Sequence, residues 1–453
     1  MWVMVYHYLV NVNNIMIMEG TYMNKRFKKI AALLLTIALT SSLVACGNKA
    51  VDNSKAEANK KITLKFWHIW TSDTDSNKKN VEAVIKEWND ANPNVQIESE
   101  GTENEAYKTK IKTAVSANEA PDIFVTWGAG FSKPFIDAGK VLPLDDYLKD
   151  GTKEKLLTGA LTYLTYNEKT YGLPYTSDIG IFYVNKEMFE KNNIKIPETY
   201  DDLLVATKAF KAKGITPLAV GEKDKWPGMF YYDALALREG GAKLSNDALA
   251  KSASFEDPAF VNAATKLKKL IDAGAFNPAA LGLTRDEAEV PFLQGKIPMY
   301  YNGSWLGGSI DDAKSVVKGK VIAMNFPAVS DGKGAKEEVL GGAIMGFMVN
   351  ANTKYKEESA KATKYIAENI SKKLYATGAG IPTWKVEVDE SKLPPLTKQI
   401  ADIAKKSTGN VVWWDTYLAG ADADVHKDLV AQIFGKQITP EEFAKQMQAI
   451  NKK

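Results

Sequence analysis

The sequence is short of the residues that most chemistry needs. It has one cysteine, Cys46, so no disulfide can form within the chain. It has three histidines, and HExxH, GxSxG and GxxxxGK[ST] are all absent, which removes the usual zinc-protease, α/β-hydrolase and P-loop readings. The run from Asp73 to Asn77 starts like a calcium loop, but Lys78 stands where the loop needs glycine and Val84 where it needs a bidentate glutamate. No metal and no cofactor are expected. Net charge is also small: the formal excess is +3, and Lys25, Arg26, Lys28 and Lys29 against Glu19 account for all of it, so the remainder is neutral. A neutral body lacks the phosphate-neutralising term that dominates nucleic-acid affinity, and nucleic acid is excluded as a partner. Long apolar runs are missing too: Ile30 to Val44 spans about 15 residues and is broken by Thr36, Thr40, Ser41 and Ser42, against the roughly 20 that a spanning helix requires.

That short run lies between basic MNKRFKK (Met23 to Lys29) and LVACGN, the layout of a secretory signal. Leu43-Val44-Ala45-Cys46 resembles a lipobox, in which the cysteine thiol takes a diacylglycerol before cleavage. Cys46 is therefore the expected lipidation site and mature N-terminus. Two or more acyl chains would hold the protein stably on the outer face of a bacterial membrane. Residues 1–22 show neither helical nor strand periodicity and read as an overcalled start before a 23–45 signal peptide. Residues 46–60 are polar and unpatterned, a flexible tether.

Folding is expected to begin at Lys61. KITLKFW alternates like a strand, NKKNVEAVIKEWNDANP places Val81, Val84, Ile85 and Trp88 at helical spacing, and NVQIES, a helix around Tyr107, and DIFVTW follow. Strand-helix-strand order argues for an α/β fold with parallel strands. The later chain repeats it: YGLPYTSDIGIFYV, a helix, ITPLAV, more helices, KIPMYYNG, KVIAMNF with an expected hairpin turn at SDGKG, then GGAIMGFMVN. A single core rarely grows past about 250–300 residues, so at least two lobes are implied.

Aromatic residues are where the chain is rich. Of ten tryptophans, Trp88 fits a helix core stripe, while Trp67, Trp70, Trp127, Trp226, Trp305, Trp384, Trp413 and Trp414 fall at strand ends and loops, where binding residues tend to be carried. Pyranose rings present flat faces of C–H groups and a rim of hydroxyls, so a protein that holds them needs aromatic plates and planar polar acceptors. Glu100, Asp178 and Asp415 lie near those plates, and His68 could donate to a hydroxyl. A glycoside hydrolase would use similar plates but needs two carboxylates at a defined separation, and no pair sits in a defensible motif. A purely structural or adhesive lipoprotein would leave the loop-borne aromatics unexplained.

From Met23 onward the chain resembles the extracellular solute-binding lipoproteins of carbohydrate ABC transporters, relatives of maltose-binding protein. The likeness rests on ITLKFWHIW, APDIFVTW with FIDAGKVLPLDDYL, YGLPYTSDIGIFYVNKEMFEKNNIKIPETYDDLL, FLQGKIPMYYNGSW and GGAIMGFMVN. It implies a two-lobed periplasmic-binding-protein-like α/β fold of type II whose hinge is crossed several times, near Pro174 to Ile179, near Asn325 to Pro327 and near Ser371. The lobes would be 61–175 with 328–370 and 180–324 with 371–453. It further implies a monomer that captures a sugar or oligosaccharide between the lobes without catalysis and delivers it to the transmembrane permease subunits. By this resemblance Trp305, Trp413 or Trp414, Trp67 to Trp70, Trp127, Trp226 and Tyr231 take ligand-binding positions, and Gly341, Gly342 and Trp384 complete the candidate set. The acidic residue that maltose-binding relatives carry after the third strand is replaced by Gly128-Ala129-Gly130. That argues against maltose and leaves room for another sugar or for close approach of backbone.

Overall fold

The computed structural model describes residues 61–73 and 75–451; the leader, Cys46 and the tether lie outside the described residues. Strands are numbered in chain order: β1 Ile62–His68, β2 Val95–Gly101, β3 Ile123–Trp127, β4 Thr165–Tyr166, β5 Lys169–Thr170, β6 Gly172–Pro174, β7 Asp178–Asn185, β8 Leu218–Ala219, β9 Met299–Gly303, β10 Val321–Met324, β11 Val339–Gly342, β12 Met345–Val349 and β13 Asn410–Val411.

The first sheet has the order β2-β1-β3-β12-β6, with β1, β2 and β3 parallel and β12 antiparallel to both its neighbours. Its parallel part forms as the sequence suggests. Leu64 and Phe66 of β1 are buried in alternation with exposed Thr63-side neighbours, and the helix Ser76–Ala91 lays Val81, Val84, Ile85 and Trp88 on the sheet. That helix starts where Asp75 accepts the Asn77 amide at 2.8 Å, a side-chain cap that occupies the stretch resembling a calcium loop.

The second sheet has the order β13-β11-β7-β9-β8, with β10 also paired to β7. Its centre is β7, all of whose residues are buried. One edge of β7 pairs with β9, and the other is shared end to end: β10 covers Phe182 to Asn185 and β11 covers Asp178 and Ile179. Each sheet has its own hydrophobic interior, one around Phe66, Phe124 and Phe347 and the other around Phe182, Tyr231 and Leu235, with a further cluster around Ile181 and Tyr300. Two mixed sheets, each with its helices and core, make the fold α/β and two-lobed.

Among the described residues the chain passes between the sheets three times, and two passes differ from expectation. The stretch YGLPYTSDIGIFYV contains the first, between β6 and β7 at Tyr175 to Ser177. The second lies at Ala343 and Ile344, between β11 in one sheet and β12 in the other, not near Asn325 to Pro327. The reason is that β7 is long enough to hold β10 and β11 in tandem, so the chain stays with the second sheet after Phe326. The SDGKG stretch is accordingly no hairpin turn; Gly334 donates its amide to the Arg238 carbonyl at 3.1 Å and the loop rests on the helix Trp226–Leu249. Ser371 is inside the unbroken helix Lys356–Thr377 on the first sheet. The third pass falls between Trp384, in the first core, and Leu396, in the second.

The candidate ligand-binding cleft

A cleft lined by residues of both lobes lies between them, the kind of concave setting in which small-molecule sites are found. Its first-lobe wall is built from the carboxyl ends of parallel strands, where α/β sheets place their ligands. Trp127 is the last residue of β3, and Trp70 stands two residues beyond β1. Trp70 meets the edge of Tyr175 at 5.5 Å, and Tyr175 is stacked at 4.8 Å on Phe347 of the core.

The second-lobe wall is a cluster of rings. Trp226 opens the helix Trp226–Leu249, Phe230 follows one turn later, Trp305 comes just after β9, and Trp413 precedes the short helix Trp414–Tyr417. Phe230 and Trp413 stack at 3.9 Å and 15°, and Trp305 stands edge-on to both at 6.3 and 6.2 Å. Aromatic pairs in such geometries contribute about 0.5–1.5 kcal/mol beyond the area they bury, so this wall is held by its own contacts.

Polar groups fill the gap: Asp75, Asn77, Glu103, Asn104 and Lys108 from the first lobe, and Arg285, Asp286, Asp415 and Thr416 from the second. Asp178 sits at the back, beside the first pass, where Ser304 Oγ donates to its Oδ1 at 3.0 Å and Thr176 Oγ1 at 3.3 Å. Burial pushes its carboxyl up to about 7, although the two hydroxyls pull the other way. Both cations are already engaged. Lys108 pairs with Glu105 at 2.7 Å, and Arg285 with Asp286 at 2.7 Å and Glu289 at 3.1 Å. Burial opposes the Arg285 charge, but Glu289 and Asp286 more than offset it.

Of the residues singled out from sequence, the structure brings Trp70, Trp127, Asp178, Trp226, Trp305, Trp413 and Asp415 into this cleft. The others lie elsewhere. Trp67 points to the opposite face of β1, under the Lys110 ammonium at 3.9 Å. His68 is buried with its pKa lowered to about 4, chiefly by burial, and accepts the Trp70 amide on Nδ1 at 3.3 Å. Glu100 is exposed and paired with Lys110 at 2.5 Å. Tyr231 is interior and donates to the Ala219 carbonyl. Trp384 is buried in the first lobe, its Nε1 donating to the Pro174 carbonyl at 2.7 Å. Trp414 packs inward against Phe255 and His426, so only Trp413 of that pair faces the cleft. Gly341 and Gly342 have φ of 107° and 149° and serve the second pass; a Cβ at Gly341 would lie 2.0 Å from the Asp178 carbonyl oxygen. Gly128 and Gly130 likewise face protein backbone, that of Tyr163 and of Tyr417 and Leu418, rather than open space for a sugar.

Several lining residues had not been singled out. Phe230 follows Trp226 at helical spacing, and Tyr175 lies in the LPYTSD stretch, so both carried a readable signal. Arg285 and Asp286 open the helix Arg285–Leu293 through a Thr284 and Glu287 capping box, which reads from sequence only as a helix start.

Residues 71–373 match the model of the family described as bacterial extracellular solute-binding protein. The chain belongs to that family. Its members bind solutes rather than transform them, so the hydrolase reading is set aside. The multiple sugar-binding protein of Streptococcus mutans serotype c is 27% identical over 402 residues, covering 83% of this chain and 87% of its own. A solved structure from work on xylan utilization by the thermophilic bacterium Caldanaerobius polysaccharolyticus superposes with a TM-score of 0.83 at 52% identity, covering 86% of this chain and 99% of that one. A chitin oligosaccharide binding protein gives a TM-score of 0.78 at 28% identity, covering 86% and 98%. No helix among the described residues is long and apolar enough to cross a membrane.

Proposed function

We infer that this chain is the substrate-binding component of an ABC sugar importer and that its ligand is an uncharged oligosaccharide of the xylan type. One observation carries the reading: aromatic walls from two lobes face each other across a single cleft, with hydrogen-bond acceptors between them. Pyranose faces stack on the rings, and the hydroxyl rim donates to Asp75, Glu103, Asp178, Asp286 and Asp415. The likeness to the Caldanaerobius protein supports xylan as the source, because 52% identity across nearly the whole of that chain is enough to keep a site's shape.

The charge pattern supports a neutral ligand. Carboxylates outnumber cations in the lining, and Lys108 and Arg285 are already paired with protein carboxylates. A phosphate or uronate would enter a partly desolvated space with no free cation to receive it and several like charges nearby, where repulsion is poorly screened. Neutral hydroxyls meet acceptors instead.

Mechanistically, an open form exposes both walls, a sugar touching both shifts the population to the closed form, and the permease reads the closed shape. Cys46 supplies the lipid anchor that keeps the receptor, as a monomer, beside its permease on the outer membrane face. Calorimetric titration with xylobiose, xylotriose and xylotetraose, their glucuronyl-branched counterparts and chitin oligosaccharides tests the reading. Micromolar or tighter binding of a linear xylo-oligosaccharide, about −8 kcal/mol, is expected. Saturation by none of the neutral sugars would overturn it.

A further inference from the structure

Two glycines sit where one lobe touches the other with no space for a side chain. Gly130 follows β3 in the first lobe, and a Cβ placed on it would lie 2.3 Å from the Tyr417 carbonyl oxygen and 2.6 Å from that of Leu418, which belongs to the second-lobe core. Gly308 follows β9 in the second lobe, and a Cβ there would lie 2.3 Å from Ser76 Oγ and 3.0 Å from the Ser76 Cβ at the start of the first-lobe helix. A polar bond accompanies each contact: the Phe131 amide donates to the Thr416 carbonyl at 3.3 Å, and Lys79 Nζ pairs with Asp312 at 3.3 Å. Neither glycine lines the cleft. Neither has the positive φ that would explain glycine by backbone conformation. The remaining reason for both is the approach of the opposite lobe.

We propose that Gly130 and Gly308 are the closure points of this receptor, positioning residues that set ligand affinity by permitting the lobes to meet. The proposal rests on the reading of the cleft as a closing sugar site. Its logic is a population shift: a methyl at either point occupies space that only the closed form denies, so the open form is untouched and apparent affinity falls with the closed fraction. At Gly130 the neighbours are backbone oxygens that cannot rotate away. At Gly308 the nearest neighbour is a serine hydroxyl with no hydrogen-bond partner, so removing it leaves no bond unmade, and the Ala379 Cβ of the first-lobe core follows at 3.0 Å.

The test measures xylotetraose binding by calorimetry for Gly130→Ala, Gly308→Ala, Ser76→Gly and the Gly308→Ala/Ser76→Gly pair. Each alanine should weaken binding at least about tenfold. Ligand-free melting temperatures should stay at the wild-type value, and small-angle scattering should show no compaction on adding sugar at the concentration that compacts wild type. The double variant should regain part of the affinity, the Ala379 contact remaining. Affinities within about twofold of wild type for both alanines, or no recovery in the double variant, would overturn the proposal. If wild type itself does not bind xylotetraose, the sugar reading fails and a separate readout decides the closure points: zero-length carbodiimide coupling of Lys79 to Asp312, followed by peptide mass spectrometry. A lower yield in the alanine variants supports them, and equal yields dispose of them.

Discussion

The two walls of the cleft are built differently. The second-lobe wall is one aromatic unit, with Phe230 and Trp413 stacked at 3.9 Å, Trp305 edge-on to both, and Trp226 tilted against Phe230 and edge-on to Trp305. On the first-lobe wall Trp70 and Trp127 are held separately, each against its own core partners, and the space between is given to Asp75, Asn77, Glu103, Asn104 and Lys108. The second wall is a plate already assembled before a ligand arrives, which lowers the ordering cost of binding. The first is mainly a polar rim carried on a helix start and loops. A ligand would dock on the plate first and be gripped by the rim on closure.

That asymmetry can be broken in steps. Trp413→Ala removes the central ring of the plate and should weaken xylotetraose binding about a hundredfold by calorimetry, the range of a buried aromatic hot spot. Trp70→Ala removes a ring held by an edge contact with Tyr175 rather than by a stacked partner, and about a tenfold loss is expected. Equal losses for the two would show that the walls contribute alike. Asp178→Asn sharpens the role of the shared floor. In wild type the folded-state pKa of about 7 lies above the ordinary 3.8, so stability from the protonated form is complete below about pH 4 and lost as pH rises through 7. Melting temperature should therefore fall between pH 5 and pH 8 in wild type and fall less in the asparagine variant, and parallel profiles would refute the coupling. Glu100→Gln, at an exposed ion pair outside the cleft, should change neither affinity nor stability by more than about 0.5 kcal/mol.

Much of this was legible in the sequence because periodicity reports burial. Alternation in KITLKFW and helical spacing in the following segment located β1 and its helix. The same alternation explains which part of FWHIW reaches the cleft: Trp67 and His68 are strand residues committed to the sheet's two faces, while Trp70 lies beyond its end. What periodicity cannot report is which sheet a strand joins. β10, β11 and β12 are short apolar segments of similar pattern, and only the length of β7 decides that the first two share its edge while the third joins β3. Trp384 and Tyr231 show a related gap, since an aromatic near a loop reads alike whether its polar atom meets a ligand or, as here, the carbonyls of Pro174 and Ala219.

The place of β12 in the first sheet has a consequence for how the protein is made. It starts at Met345, yet it separates β3 from β6, so the sheet that begins at Ile62 cannot zip up until most of the polypeptide exists. Pairings across such distances in the chain form slowly. The strand order thus postpones completion of the first sheet until translation is nearly done.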